Sequence, residues 1–324
     1  MGPQRLVGLE DIRAARGVIA GNVHRTEVAS SAALAHRTGC KPFLKQEMFQ
    51  RTGAFKIRGA LNRLASLSAR QRAAGVCTVS AGNHAQGVAL AARMAAIPCC
   101  VVMPENAARS KVEATEGYGA EVILHGDLSQ IFPRVRQVEQ ERGMTFIHPF
   151  DHPRIIAGQG TTGLELVEDA PHLDIVVVPV GGGGLISGVA AAVKAVSPGT
   201  RVIGVEPYGA DAMWRSLQSG KAERLERLET IADGLSAPFA GELTLAHVQA
   251  LVDDLVRVTD DEMREAMGFL LSRCKLLAEP AGAAAAAALL AGKITWPAGP
   301  APTVGLILSG GNIDLARLAA LLGP

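Results

Sequence analysis

Short apolar runs rich in Val and Ile recur along the chain, the clearest being Val76–Val79, Cys99–Met103, Glu121–Leu124, Ile175–Val180, Val202–Glu206 and Thr303–Leu308. Each is followed by a Gly-containing turn and then by a stretch rich in Ala and Leu, an alternation that predicts a parallel sheet covered by helices. Three of the runs empty straight into turns of small or polar residues: Val79 into Ser80–His84, Val180 into Gly181–Gly184, and Leu308 into Ser309–Asn312. Open α/β sheets bind ligands at the carboxyl ends of their strands, so these three turns are expected to converge on one site. The run Ala281–Ala288, entered through Glu279-Pro280, predicts a helix packed closely on a neighbour, because Ala favours helix and its methyl group permits close approach. The charged stretch Lys221–Arg227 reads as a solvated helical face.

Composition narrows the function classes. With 324 residues, 48% of them hydrophobic, the chain can bury one large core or two smaller ones. A formal net charge of +1, with no basic stretch interleaved with aromatics, leaves no electrostatic footprint for nucleic acid or an anionic membrane. No apolar run reaches membrane-spanning length, and the amino terminus mixes acids and bases where a secretory signal would turn apolar. The five cysteines, Cys40, Cys77, Cys99, Cys100 and Cys274, are odd in number and lack paired metal-ligand spacing, which suits reduced core residues of a cytoplasmic protein. A small-molecule function follows.

Two segments carry candidate chemistry. Four glycines at a strand-to-helix junction, Gly181–Gly184, let the backbone approach a ligand and turn several N–H groups toward it; a phosphate fits there, and so does the alternative of a tight structural turn. The tetrad matches neither the dinucleotide fingerprint nor the P-loop, and it contains no Lys or Arg. The second segment is Gln50–Ala60, where Lys56 stands between Phe55 and Ile57 at the expected start of a helix. The positive end of the helix dipole disfavours the ammonium form, and a lowered pKa favours Schiff-base chemistry.

At this segment the chain resembles the fold-type II pyridoxal-phosphate enzymes, and within them the serine/threonine dehydratase and serine racemase family. The likeness runs in order through Lys45–Ala60, Ser80–Gly87, Ile156–Thr161, Pro179–Gly188, Thr230–Gly234, Lys275–Gly282 and Ser309–Asp314. Cysteine synthases and cystathionine β-synthases usually follow the lysine with Asp-Arg, where this chain has Ile57-Arg58-Gly59. The resemblance implies an α/β fold of two open, twisted, mostly parallel sheets covered by helices, similar to tryptophan synthase β. It implies a large cofactor-binding domain (1–74 plus 151–324), a small mobile domain (75–150) that caps the substrate, and a homodimer. Because the chain ends at Pro324, just after the last βα unit, a catabolic form without a carboxy-terminal regulatory domain or isoleucine feedback is expected.

Carried over by motif, Lys56 would hold pyridoxal 5'-phosphate as a Schiff base, with Phe55 packed on one face of its ring. Gly181, Gly182, Gly183 and Gly184, with the Leu185 amide, would cradle the phosphate, and Asn83 would bond the ring's 3-oxygen. The loop Ser80, Ala81, Gly82, Asn83, His84 resembles the one that receives the substrate carboxylate; His84 read alone is as consistent with packing. Ser309 would face the pyridine nitrogen. A neutral hydroxyl cannot hold that nitrogen protonated, which favours β-elimination over transamination.

Lys56 and Ser80 are the candidate catalytic residues, with Lys56 taking the Cα proton as general base. Serine racemases keep a second serine immediately after the position of Ser80; Ala81 stands there, which argues for elimination without efficient racemisation. The expected reaction converts L-threonine or L-serine to a 2-oxo acid and ammonia. The alternatives are another 3-hydroxy amino acid (phenylserine or 3-hydroxyaspartate), a β-replacement or racemase-like enzyme, and a cofactor-binding protein without turnover. Ile131 and Phe132, within the apolar segment Gly126–Pro133, either widen the site toward a bulky side chain or belong to a helix core. The family's cation site uses a glutamate, a backbone carbonyl and a further acid. Glu206 and Ala210 match the first two, but Ala212 replaces the third and Asp211 is displaced by one, so a divalent or monovalent cation stays open beside a Glu206 that hydrogen-bonds locally.

Overall fold

The computed structural model describes residues 5–127, 130–170 and 172–323. Among the described residues there are ten strands: β1 (Val28–Ser30), β2 (Lys41–Gln46), β3 (Val76–Val79), β4 (Cys99–Met103), β5 (Glu121–Leu124), β6 (Thr145–Phe146), β7 (Ile175–Pro179), β8 (Arg201–Pro207), β9 (Asp254–Val258) and β10 (Thr303–Leu308). They form a six-stranded sheet in the order β1-β2-β10-β7-β8-β9 and a four-stranded sheet in the order β5-β4-β3-β6. Among the described strands, only the β1–β2 pair is antiparallel. The two-sheet α/β architecture expected from the sequence is thus present, and each of the six apolar runs is a strand. β3, β4 and β7 are buried at every position, as parallel strands covered on both faces must be.

One face of the large sheet is covered by the helix Pro280–Leu290, in which every residue from Pro280 to Leu289 is buried. The Ala run does pack closely: a Cβ on Gly282 would lie 2.0 Å from the Gly310 carbonyl oxygen. On the other face, the helices Pro153–Asp169 and Gly184–Val196 meet through Gly160 and Gly188; a Cβ on Gly188 would lie 2.5 Å from the Gly160 nitrogen. The helix Lys56–Ala65 packs on the helix Pro153–Asp169, and its Ile57, Ala60 and Leu64 join the apolar cluster under the small sheet. Lys56 therefore stands where the two sheets meet.

That junction holds four buried charges. Lys45 on β2 donates to Glu165 at 2.7 Å and to the Thr26 carbonyl at 2.5 Å. Arg58 donates to both oxygens of Glu47, each at 2.8 Å, and to both of Glu165, at 2.7 and 2.8 Å. Two cations balance two anions, and Thr26 and Thr161 add hydrogen bonds. Burial alone would raise the Glu47 carboxyl, but Arg58 beside it, with Lys45 and Thr26, holds it below the ordinary carboxylate value.

The segment Lys221–Arg227 departs from the expected helix. The preceding helix, Ala212–Ser219, stops at Gly220 in the left-handed region. The chain then runs as a loop tied down by the Arg224–Phe239 bridge and the Leu225 N–H to Pro238, with Leu225 buried. In the segment Gly126–Pro133, Leu128 and Ser129 lie outside the described residues, while Ile131 opens the helix Ile131–Arg142. Cys40, Cys77, Cys99 and Cys100 are buried and Cys274 partly so, all of them free. Burial pushes the Cys77 and Cys99 thiols up to about 12. Among the described residues no helix is long and apolar enough to cross a membrane.

Removing one partner from the buried charge cluster leaves an uncompensated ion in the core. Glu165→Ala is expected to lower unfolding free energy by roughly 3–5 kcal/mol, read from urea denaturation at unchanged slope. A loss under about 1 kcal/mol, the scale of an exposed pair, would contradict the role given to the cluster.

Candidate active site

A cavity of about 530 Å³ opens at the carboxyl ends of β3, β7 and β10. Phe55, Lys56, the loop Ser80–His84, the turn Gly181–Gly184 with Leu185, and Ser309 all line it, so the three turns singled out in the sequence do meet. Glu206 and Ala210 lie elsewhere, at the end of β8 and in the turn that follows it.

Lys56 is the first residue of its helix, with Phe55 at the cap, so its side chain leaves the backbone beside the cavity. Its Nζ donates to the Pro149 carbonyl at 3.0 Å and lies 5.2 Å from the centre of the Phe55 ring. Burial pulls the ammonium from its ordinary 10.5 down to about 8. The sequence assigned the lowered value to the helix dipole; desolvation is the cause in the structure.

The glycine turn is shaped by its neighbours. Gly183 has φ of 92°, in the left-handed region, and a Cβ there would lie 2.5 Å from Met213 Cε. On Gly182 a Cβ would lie 2.3 Å from the Phe150 ring, so the turn is held at closest approach to the wall behind it. The N–H groups of Gly181–Leu185 find no acceptor among the described residues, and the helix Gly184–Val196 starts there. Unfilled amides at a helix start suit an anion with several acceptor oxygens.

At the loop after β3, Ser80 Oγ accepts from the Gly82 N–H at 3.1 Å, and Asn83 starts the helix Asn83–Met94. The Asn83 carboxamide is gripped on both sides: Nδ2 donates to Glu279 Oε1 at 2.5 Å, and Oδ1 accepts from Asn312 Nδ2 at 2.8 Å. One Nδ2 hydrogen remains for a ligand. His84 is buried, with Nε2 3.3 Å from the Ile147 carbonyl; burial and then Lys56 hold the imidazole well below its usual range, and it is neutral. Ser309 is 4% exposed, its hydroxyl 3.4 Å from the Ala281 carbonyl.

Several residues in and beside the cavity were given no role by the sequence. Glu279 stands at the cap of the helix Pro280–Leu290 but makes no capping bond; its carboxyl turns to Asn83, and burial pushes it up to about 7. Lys111 donates to Asp233 at 2.8 Å, Arg317 grips the same carboxylate at 2.5 and 2.9 Å, and Ser110 donates to Asp314 at 2.9 Å. The Ser110 and Lys111 bonds tie the helix Arg109–Gly117, beside the small sheet, to loops of the large one. Ile131 and Phe132 are helix-core residues that also border the cavity. Ile131 belongs to the apolar cluster with Val135 and Val138, Phe132 packs against that cluster, and both line the cavity. Phe132 and Phe150 flank Phe239, with ring centres at 5.7 and 5.4 Å.

Residues 19–310 match the family model described as "Pyridoxal-phosphate dependent enzyme". The chain is 46% identical over 318 residues to an L-threonine ammonia-lyase of Thermotoga maritima, covering 98% of this chain and 78% of that protein. It is equally identical, at 46%, to the L-threonine dehydratase catabolic TdcB of Escherichia coli K12, covering 98% and 96%. A maize serine racemase structure superposes with a TM-score of 0.93 at 42% identity, covering 98% of this chain and 97% of that one.

Because burial favours the neutral amine, Lys56 becomes nucleophilic as pH rises through about 8, well below an ordinary lysine. In protein stripped of any bound aldehyde, the rate of reductive alkylation at Lys56, followed by peptide mass spectrometry, is expected to be half-maximal near that pH. A midpoint at the ordinary 10.5 would contradict the effect of burial.

Proposed function

The chain belongs to the pyridoxal-phosphate dependent enzyme family, and we propose that it is an ammonia-lyase acting on L-threonine and L-serine, releasing a 2-oxo acid and ammonia by β-elimination. The observation that carries this reading is the meeting of Lys56, the unfilled amides of Gly181–Leu185 and the uncharged Ser309 around one cavity. Those residues suit the cofactor: an amine for its aldehyde, N–H donors for its phosphate, and a neutral hydroxyl for its ring nitrogen. Bound there, pyridoxal phosphate supplies an electron sink for the charge left at Cα when a proton departs.

The protein's own groups do the rest. Lys56, which burial brings down to about 8, keeps an appreciable neutral fraction at physiological pH, and as a free amine it would take the Cα proton. The Ser80–His84 loop lines the cavity at the start of the helix Asn83–Met94, where the backbone N–H groups of a helix N-terminus suit the substrate carboxylate. Glu279 and Asn312 hold the Asn83 carboxamide, and its remaining N–H would be the donor for the ring's 3-oxygen. The neutral Ser309 hydroxyl would not hold a ring nitrogen protonated, which favours loss of the β-hydroxyl over reprotonation. Ala81 offers no proton on the face opposite Lys56, and racemisation is disfavoured. Ile131 and Phe132 present an apolar wall to the β-substituent, which suits the methyl group of threonine and not a second carboxylate.

In the same reading residues 75–150 form the small domain that caps the substrate, 1–74 and 151–324 hold the cofactor, and the enzyme works as a homodimer in the cytoplasm. Lys56→Ala is expected to lower kcat for release of 2-oxo acid from L-threonine by roughly 10²–10⁴-fold. A panel of L-threonine, L-serine, phenylserine and 3-hydroxyaspartate tests the substrate class: turnover of 3-hydroxyaspartate with inert threonine and serine would overturn the proposal. Ala81→Ser is expected to add measurable formation of D-serine from L-serine, scored by chiral chromatography; wild-type racemisation as fast as elimination would sink the role given to Ala81.

A further inference from the structure

The cation implied by the family resemblance would sit at the end of β8, at Glu206 and the Ala210 carbonyl, and the side chains there are already committed to other partners. Glu206 is 0% exposed and accepts the N–H groups of Met213 at 2.9 Å and Trp214 at 2.8 Å, in the first turn of the helix Ala212–Ser219. Asp211 is 2% exposed; one of its oxygens takes Arg215 Nε at 2.8 Å and the other Arg257 Nη1 at 2.9 Å. Among the described residues no group of three or more His, Cys, Asp or Glu is disposed to hold a metal ion.

Arg257 reaches this loop from the neighbouring strand. It sits on β9 as the register partner of Glu206, and its guanidinium lies 3.7 Å from the centre of the Trp214 ring and 4.6 Å from that of Tyr208. Lys293 braces it from behind, donating to the Arg257 carbonyl at 2.8 Å and to Glu262 at 2.6 Å. A planar cation contacting two aromatic rings and paired with a buried carboxylate is held in one geometry. The loop it neutralises leads directly into Met213, whose Cε packs against Gly183 of the glycine turn.

We infer that Arg257 does in this chain what a bound cation would do: it neutralises the Asp211 loop and holds Met213 against the glycine turn, making Arg257 a positioning residue for cofactor binding and the enzyme independent of divalent cations. The inference concerns the holding of the cofactor and stands whichever 3-hydroxy amino acid is the substrate.

Holoenzyme is compared after exhaustive treatment with EDTA and after addition of millimolar Mg²⁺, Mn²⁺ or Ca²⁺, reading Tm and the fraction of cofactor retained, by absorbance, after gel filtration. Wild type is expected to give the same values in every condition. Arg257→Gln is expected to bind pyridoxal phosphate about tenfold more weakly, a change of about 1.4 kcal/mol, and to regain part of that affinity with Mg²⁺ or Mn²⁺, because Asp211 loses one of its two cations. Arg257→Lys, which keeps the charge, is expected to stay within about threefold of wild type, less than about 0.7 kcal/mol. Loss of cofactor or a fall in Tm on EDTA treatment of wild type, reversed by a divalent ion, would overturn the inference, and this arm stands even where Arg257→Gln fails to fold. Equal weakening in the Lys and Gln variants would also overturn it, since packing alone would then explain the effect.

Discussion

Four charges buried at the junction of the two sheets determine where the reactive lysine can be. Arg58 lies in the first turn of the helix that Lys56 opens, and its guanidinium is fixed at once by Glu47, from the turn after β2, and by Glu165, from the helix Pro153–Asp169. Such a cluster is costly to desolvate and contributes little net stability against an apolar replacement; its value lies in geometry. Only one rotation and one height of the helix satisfy all of these bonds together, so Lys56 is aimed into the cavity by residues that never touch a substrate. Lys45 closes the set by balancing the second glutamate.

The same exclusion of water that makes the cluster demanding makes the cavity reactive. Desolvation moves the Lys56 amine down to about 8 and the Glu279 carboxyl up to about 7, and it holds His84 neutral. Burial disfavours whichever form is charged, so a base and an acid converge on neutral pH from opposite sides. Two groups able to give or take protons near neutrality therefore line one cavity, and their values follow from depth more than from pairing.

What the sequence disclosed depended on how local each feature is. β3, β4 and β7 are uninterrupted apolar segments buried on both faces, and their ends were legible to within a residue. β2 and β9 were not, because Lys45 and Gln46 in one and Asp254 and Arg257 in the other read as polar chain; their burial or pairing is a tertiary fact. Lys221–Arg227 misled for the converse reason: alternating charge marks exposed chain of any shape, and Gly220 had already ended the helix. The lysine, glycine and serine positions of the site were legible because each sits in its own strand-to-helix turn. The partner that orients Asn83 was not, since Glu279 lies 196 residues further on and looks in sequence like the cap of an alanine helix. Arg257 escaped notice in the same way, its meaning supplied by Asp211, 46 residues earlier.

The alanine helix carries a consequence for how such a cavity can change over evolutionary time. With nothing larger than a methyl group along Ala281–Ala288, and with Gly282 against Gly310, its backbone rests on the sheet at a fixed depth that also sets the height of Glu279 and Ser309. Any larger residue there would lift the floor of the cavity as a whole and misplace groups that serve every substrate alike. New side-chain preferences must then arise from the opposite wall, where Ile131 and Phe132 face the cavity from the edge of a smaller cluster. The floor is a constant and the ceiling is the variable, so substrate range is free to drift while the shared chemistry stays in place.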